Sequence, residues 1–233
     1  MRWGMTPAST IWSPANVVDA VLLDLDGTFA DTAPDLGEAL NHVRSLHGLP
    51  PLPLATLRPQ ASHGSPGLLK LGMNVSPDSD GYDEMRAAFL EHYEAHICDR
   101  TKLFPGMAAL ISEFEERDIP WGIVTNKPHR FTVPLMEKLG YASRAACLVS
   151  GDTCEEAKPH PAPLLHAASL IGVEPGRCLY LGDDLRDMQA ANAAHMIGII
   201  AGYGYLEENA DTGTWQAAGS VQTPFALLRY LSL

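Results

Sequence analysis

The chain has 233 residues, 46% hydrophobic and 19% charged, which is the balance of a globular protein with a sizeable buried core. Its formal net charge of −12 argues against nucleic acid or an anionic membrane as partner, although a local metal or lysine can still draw an anionic small molecule. The four cysteines, Cys98, Cys147, Cys154 and Cys178, form no Cys-x-x-Cys pair, and no apolar stretch has the length of a signal or membrane-spanning segment, so the expected setting is cytoplasmic and disulfide-free.

Residues 1–18, with Pro7, Ser9, Ser13 and Pro14, read as a flexible leader. Residues 20–24 form an unbroken apolar run ending in an acid, the pattern of a central strand buried on both faces. A helical pattern follows at Leu36, Leu40, Val43 and Leu46, then a Pro-, Gly- and Ser-rich stretch over residues 50–80 that reads as loop around a short Leu68-Leu69 patch. Met85, Phe89 and Tyr93 mark a helix over residues 82–97, and Phe104-Pro105-Gly106 turns the chain into another through Leu110, Ile111 and Phe114.

From there strands expected at 121–125, 145–150, 178–182 and 196–200 alternate with helices at 131–139, 163–171 and 185–194. Such alternation predicts an α/β fold, a Rossmann-like parallel sheet with helices on both faces. The helical stretch that breaks the rhythm is expected to be an inserted α-helical cap at residues 31–103, leaving a core of residues 19–30 and 104–233.

The chemistry gathers at the strand ends, which share one edge of a parallel sheet. The first strand ends in Asp24-Leu25-Asp26-Gly27-Thr28, the second in Thr125-Asn126-Lys127, and the fourth in Gly182-Asp183-Asp184, while Lys158-Pro159 follows the third. Carboxylates for a hard cation, a hydroxyl and an ammonium are what a phosphate-handling centre needs. Asp24, ionised at neutral pH, can attack phosphorus without a base. Asp26 lies close enough to protonate the leaving alkoxide and later deprotonate water. Mg²⁺ and Lys158 would neutralise charge, the metal on the Asp24 and Asp183 carboxylates and the Asp26 carbonyl. Thr125 would bond a phosphoryl oxygen, and Gly27 would let backbone N–H groups approach it.

These four ordered motifs resemble those of the haloacid dehalogenase-like hydrolase superfamily over nearly the whole chain from Val18. The resemblance implies Asp24 as nucleophile through a phosphoaspartate, Asp26 as acid/base, Mg²⁺ at Asp24, Asp26 and Asp183, and a helical cap. Within the superfamily the chain looks most like phosphoglycolate phosphatases. Asn126-Lys127-Pro128 and Tyr203-Gly204-Tyr205 with Trp215 also resemble the N-acetylmuramate 6-phosphate phosphatases. Substrate contacts are then expected from Gly27, Thr125, Asn126 and Lys158, and from the cap at His63 and Gly64, within Ser62-His63-Gly64-Ser65.

Phe29-Ala30 and His195 depart from the usual pattern, and His195 suits a left-handed backbone better than most residues do. The plain alternatives are a capped turn for the two aspartates, an N-cap for Thr125 and a solvated surface position for Lys158. Asp187 is open to two roles, metal binding through water or support of Lys158, and Asp184 reads as a helix cap. Tyr203–Tyr205 reads as packing near the last strand or as a border of the site. His92 and His96 lack further ligands for zinc. A phosphosugar mutase remains the nearest enzymatic rival. A phospho-acceptor regulatory domain is set aside because its acidic pair precedes the acceptor Asp on a later strand. The expected partner is a small phosphorylated metabolite; oligomeric state is not readable.

Overall fold

A computed structural model describes residues 18–206 and 210–231, so the expected leader, Val18 apart, lies outside the described residues. Along the chain, β1 (Ala20–Leu23) leads through β2 (Ala30–Asp31) into α1 (Ala33–Leu46), α2 (Leu54–Leu57), α3 (Gly64–Met73) and α4 (Tyr82–Ala95). β3 (Lys102–Leu103) pairs antiparallel with β2. Alternating units follow: α5 (Met107–Glu116), β4 (Trp121–Val124), α6 (His129–Leu139), β5 (Cys147–Val149), α7 (Ala162–Ile171), β6 (Cys178–Gly182), α8 (Leu185–Ala193), β7 (Ile197–Ala201) and β8 (Gly219–Val221).

The six-stranded sheet runs in the order β5-β4-β1-β6-β7-β8, and every neighbouring pair is parallel. β1 is therefore central, flanked by the two strands whose ends carry Thr125 and Asp183. Alternate residues feed two cores, as the unbroken apolar runs require. Val21, Leu23, Ile123, Leu179 and Leu181 pack on one face, and Ala20, Leu22, Val124, Cys178 and Tyr180 on the other. The first core is continuous with Leu40, Phe89 and Tyr93 of the helical segment. Among the described residues no helix is long and apolar enough to cross a membrane.

The loop expected over residues 50–80 is instead largely helical: α2, a 3-10 turn at Arg58–His63, and α3. Its prolines misled because they sit at the starts of these pieces, where no N–H is needed: Pro53 is the N-cap of α2, and Pro59 opens the 3-10 turn. Gly72 of α3 serves close packing, since a Cβ there would lie 2.6 Å from Leu40. The expected stripe of the first helix is buried at Leu36, Leu40 and Val43 and stops there, for Leu46 in the last turn is 62% exposed. β2, β3 and β8 were not foreseen, being too short to show a period. His195 does adopt a left-handed backbone, at φ 57°.

Candidate active site

The four motif segments meet at the C-terminal ends of β1, β4 and β6. Lys158, from the β5–α7 connection, is the hub. Its Nζ donates to the Val124 carbonyl (3.0 Å), the Tyr180 hydroxyl (2.7 Å) and Asp187 Oδ1 (2.7 Å), which engages all three ammonium protons. The same Nζ lies 2.9 Å from Asp24 Oδ1. Asp24 Oδ1 is itself buried, with this ammonium as its charged neighbour. Burial pushes the Asp24 carboxyl up to about 7, against the lowering pull of Lys158, and Asp187 and Asp26 add to the rise. Burial alone would lower the Lys158 ammonium, but Asp187 and Asp24 hold it above its ordinary value.

Asp183, 2% exposed at the end of β6, accepts from Thr28 Oγ1, Ser62 Oγ and the Tyr205 N–H, each at 2.9 Å. Burial, then the charges of Asp24 and Asp187, raise its carboxyl well above the usual range. One oxygen each of Asp24, Asp183 and Asp187 lies within 4.8 Å of the others. Three buried acids with their oxygens so close together fit a hard divalent cation in donor type and charge. Asp187 is the least available of them, because Lys158, Tyr180 and the Asp184 N–H already engage its two oxygens. Of its two open roles, the contacts fill the support of Lys158.

The Gly27 N–H donates to the Ala30 carbonyl (3.1 Å). Glycine is required there, because φ is +83° and a Cβ would fall 2.1 Å from Asp183 Oδ2.

Asp26 projects beside Asp24 and accepts from Thr32 Oγ1 (2.5 Å) and from Lys127 Nζ (2.9 and 3.2 Å). Lys127, buried, also lies 4.6 Å from the Tyr93 ring centroid. Burial opposes its charge, but Asp26 and Tyr93 hold it above its ordinary value. Tyr93 comes from α4 and keeps a buried hydroxyl without a partner, its pKa pushed up to about 12 by burial. Thr125 Oγ1 accepts the Lys127 N–H (3.2 Å), which leaves its proton to donate. Asn126 lines the cavity, but its amide clamps the Lys158 backbone, accepting from Lys158 N (2.9 Å) and donating to Lys158 O (2.8 Å). Its side chain is a brace for Lys158.

Above these residues lies a cavity of about 280 Å³. Asp24, Asp26, Thr125 and Lys158 form its floor, and His63, Gly64, Phe89 and Tyr93 belong to its helical wall. His63 Nε2 lies 3.5 Å from Asp184 Oδ2. Asp184 caps α8 as expected, accepting the Arg186 N–H (2.8 Å), and holds the Arg186 guanidinium with both oxygens. Arg186 in turn donates to the Ser62 carbonyl (3.0 Å). Tyr203 and Tyr205 border the site, since Tyr203 donates to the Thr28 carbonyl (3.0 Å) and the Tyr205 amide to Asp183.

Lys127, Tyr93 and Arg186 were not foreseen as members of this site. Lys127 carried a signal, being the next residue but one after Thr125, whereas Tyr93 and Arg186 read as an apolar helix face and a surface helix. His92 and His96 gather no further metal ligand among the described residues: the His92 ring stacks on His42 at 4.3 Å and tilts against His96 at 4.4 Å, a face-to-face row of three rings. Among the described residues only the aspartate cluster gathers metal-ligating groups.

The sequence profile of haloacid dehalogenase-like hydrolases matches residues 18–195. A phosphoglycolate phosphatase of Xanthomonas campestris pv. campestris (strain 8004) is 42% identical over 205 residues, covering 88% of this chain and 92% of that one. An N-acetylmuramic acid 6-phosphate phosphatase of Pseudomonas aeruginosa is 37% identical over 212 residues, covering 91% and 94%. The fold matches a haloacid dehalogenase-like family hydrolase of Streptococcus pneumoniae with a TM-score of 0.77 at 22% identity, over 91% of this chain and 98% of that one.

Proposed function

The chain belongs to the haloacid dehalogenase-like hydrolase family and is a phosphoric monoester hydrolase, and we propose that it hydrolyses a small phosphorylated metabolite through a phosphoaspartate at Asp24. The observation that carries this reading is the Asp24 carboxylate at the cavity floor, with one oxygen 2.9 Å from the buried Lys158 ammonium and with Asp26 and Thr125 lining the same floor. A carboxylate nucleophile that faces a cavity beside a buried ammonium is arranged to meet phosphorus.

In the first half-reaction a carboxylate oxygen of Asp24 bonds to phosphorus, and the bond from phosphorus to the alcohol oxygen breaks. Asp26 gives its proton to that oxygen. Thr125 Oγ1 and Lys158 hold the phosphoryl oxygens. In the second, Asp26 takes a proton from a water as the water oxygen bonds to phosphorus, and the bond to Asp24 breaks, which releases phosphate, frees the Asp24 carboxylate and returns Asp26 to its protonated form. Thr32 and Lys127 keep Asp26 in place throughout. Asp24, Asp183 and the Asp26 carbonyl would hold Mg²⁺, which when bound neutralises charge on the phosphoryl group. Residues 31–103 act as the cap, closing the cavity from above the sheet edge.

The first reading of the substrate is a phosphomonoester of the 2-phosphoglycolate type, after the name of the 42% identical relative. A second reading, N-acetylmuramate 6-phosphate, is favoured by the size of the cavity, about 280 Å³, and by the 37% identical relative. Purified protein with Mg²⁺ is expected to release phosphate from one of these two compounds and to stop in EDTA. Phosphate release that persists unchanged in EDTA would remove the cation from the mechanism, and no release from any phosphomonoester would end the reading.

A further inference from the structure

The cavity is lined by five Lys and Arg side chains, and the chain itself engages three of them. Lys158 is held by Asp24 and Asp187, Lys127 by Asp26, and Arg186 by Asp184. The other two are Arg86 on α4 and Arg130 in the first turn of α6. Neither forms an ion pair or a hydrogen bond with another described residue; the Arg130 guanidinium rests 4.5 Å from the Phe131 ring centroid.

Arg86 stands out on its helix. The rest of the charge on α4 is acidic, at Asp83, Glu84, Glu91 and Glu94, yet the helix turns its single Lys/Arg toward the cavity. Phe89, Leu90 and Tyr93 follow Arg86 on the same face at helical spacing, and all line the cavity. Tyr93 marks the reacting end, beside Lys127 and Asp26. Seven residues at about 1.5 Å each place the Arg86 backbone about 10 Å further along the axis. Helical side chains lean toward the N-terminus, so Arg86 extends away from Tyr93. The wall is thus graded: a phosphoryl end, an apolar middle at Phe89 and Leu90, and a far end at the unpaired Arg86 guanidinium, a fork that matches a carboxylate. Arg130 instead rests on Phe131, whose ring meets Tyr93 at 5.5 Å, nearer the phosphoryl end.

We propose that Arg86 reads a carboxylate on the leaving alcohol, so that the substrate is the phosphomonoester of a sugar-sized alcohol with its carboxylate remote from phosphorus. A two-carbon acid holds its carboxylate too near the phosphoryl group to reach Arg86. This inference rests on the phosphatase reading centred on Asp24.

The test compares kcat and KM for two sugars alike in ring and phosphate, N-acetylmuramate 6-phosphate, which carries a lactyl carboxylate, and N-acetylglucosamine 6-phosphate, which does not. 2-Phosphoglycolate and a sugar bisphosphate complete the panel. The wild type is expected to prefer the carboxylate-bearing sugar by about tenfold or more in kcat/KM. Arg86→Gln should lower that value by about ten- to a hundredfold, mainly through KM, and collapse the preference toward unity, with Arg86→Lys recovering part of it. Equal losses on both sugars would overturn the inference. So would a wild type that works best on 2-phosphoglycolate or on the bisphosphate. Turnover of p-nitrophenyl phosphate by the wild type reads the phosphoryl centre separately, and failure there strikes the phosphatase reading itself.

Discussion

The sheet edge and the helical segment that faces it across the cavity are built on different terms. At the sheet edge the polar groups are buried and tied several times over: Asp183 has three donors, and the Lys158 ammonium meets two carboxylates, a hydroxyl and a carbonyl. The helical segment contributes mainly Phe89, Leu90 and Tyr93, together with the unpaired Arg86. Bond making and breaking tolerates little displacement, so its groups sit at strand ends inside a closed polar network. Recognition of an alcohol works with a looser, partly exposed wall. The two regions are joined by Ser62 with Asp183 and Arg186, by Thr32 with Asp26, and by Tyr205 with Asp31 and the Ala33 N–H, while the Tyr93 ring faces the Lys127 ammonium.

That division predicts where substitutions act. Asp24→Asn should lower kcat/KM on every phosphomonoester by on the order of 10³-fold or more. Its thermal midpoint should not fall, because burial pushes the Asp24 carboxyl up to about 7 and the neutral amide removes a costly charge. A loss confined to one substrate would place Asp24 in recognition and break the comparison.

Asp187→Asn leaves Lys158 buried with Asp24 as its one carboxylate. Breaking a buried pair costs about 3 kcal/mol, which in a chain of this size lowers the thermal midpoint by about 6–12 °C. Calorimetry of the variant checks it; an unchanged midpoint would show that the network is not what holds the edge together.

The acids also make cation binding depend on pH. Asp24 and Asp183 have folded-state pKa values raised by burial above an unfolded value near 4. The stability such groups contribute is complete below the unfolded pKa and is lost as pH rises through the folded one, for Asp24 between about 4 and 7. Cation-free protein should therefore weaken toward neutral pH, and Mg²⁺ should raise the midpoint by a few °C more at pH 8 than at pH 5, on the order expected for a kcal/mol or two. A larger Mg²⁺ shift at pH 5 would contradict the burial of these carboxylates.

The smallest effect belongs to the link between regions. Ser62→Ala removes one hydrogen bond to Asp183, worth about 1 kcal/mol, and should weaken divalent-cation affinity by roughly tenfold. Unchanged affinity in a calorimetric titration would mean that the helical segment does not steady the acidic cluster.

The same contrast explains what the sequence revealed. Asp24, Asp26, Thr125, Lys158 and Asp183 were legible because each ends or follows an apolar run, and a parallel sheet brings such ends to one edge. The helical wall was less legible. Pro53 and Pro59 begin helical pieces yet read as loop breakers, and Tyr93 looked like an ordinary apolar position at spacing four from Phe89. Arg186 and Ser62 meet only through the tertiary fold, 124 residues apart. The Asp-x-Asp-Gly run marks Gly27 in the sequence, but that its missing Cβ makes room for Asp183, 156 residues on, shows only in the fold.

The central claim is that Asp24 carries the phosphoryl group between alcohol and water. It is tested most directly by acid-quenching the Mg²⁺-loaded enzyme during turnover and mapping phosphorylated peptides by mass spectrometry. The account predicts one phosphoryl group on the peptide containing Asp24, lost on longer incubation without substrate and absent from Asp24→Asn. Active enzyme that never carries the label on Asp24, or that carries it on another residue, would contradict it.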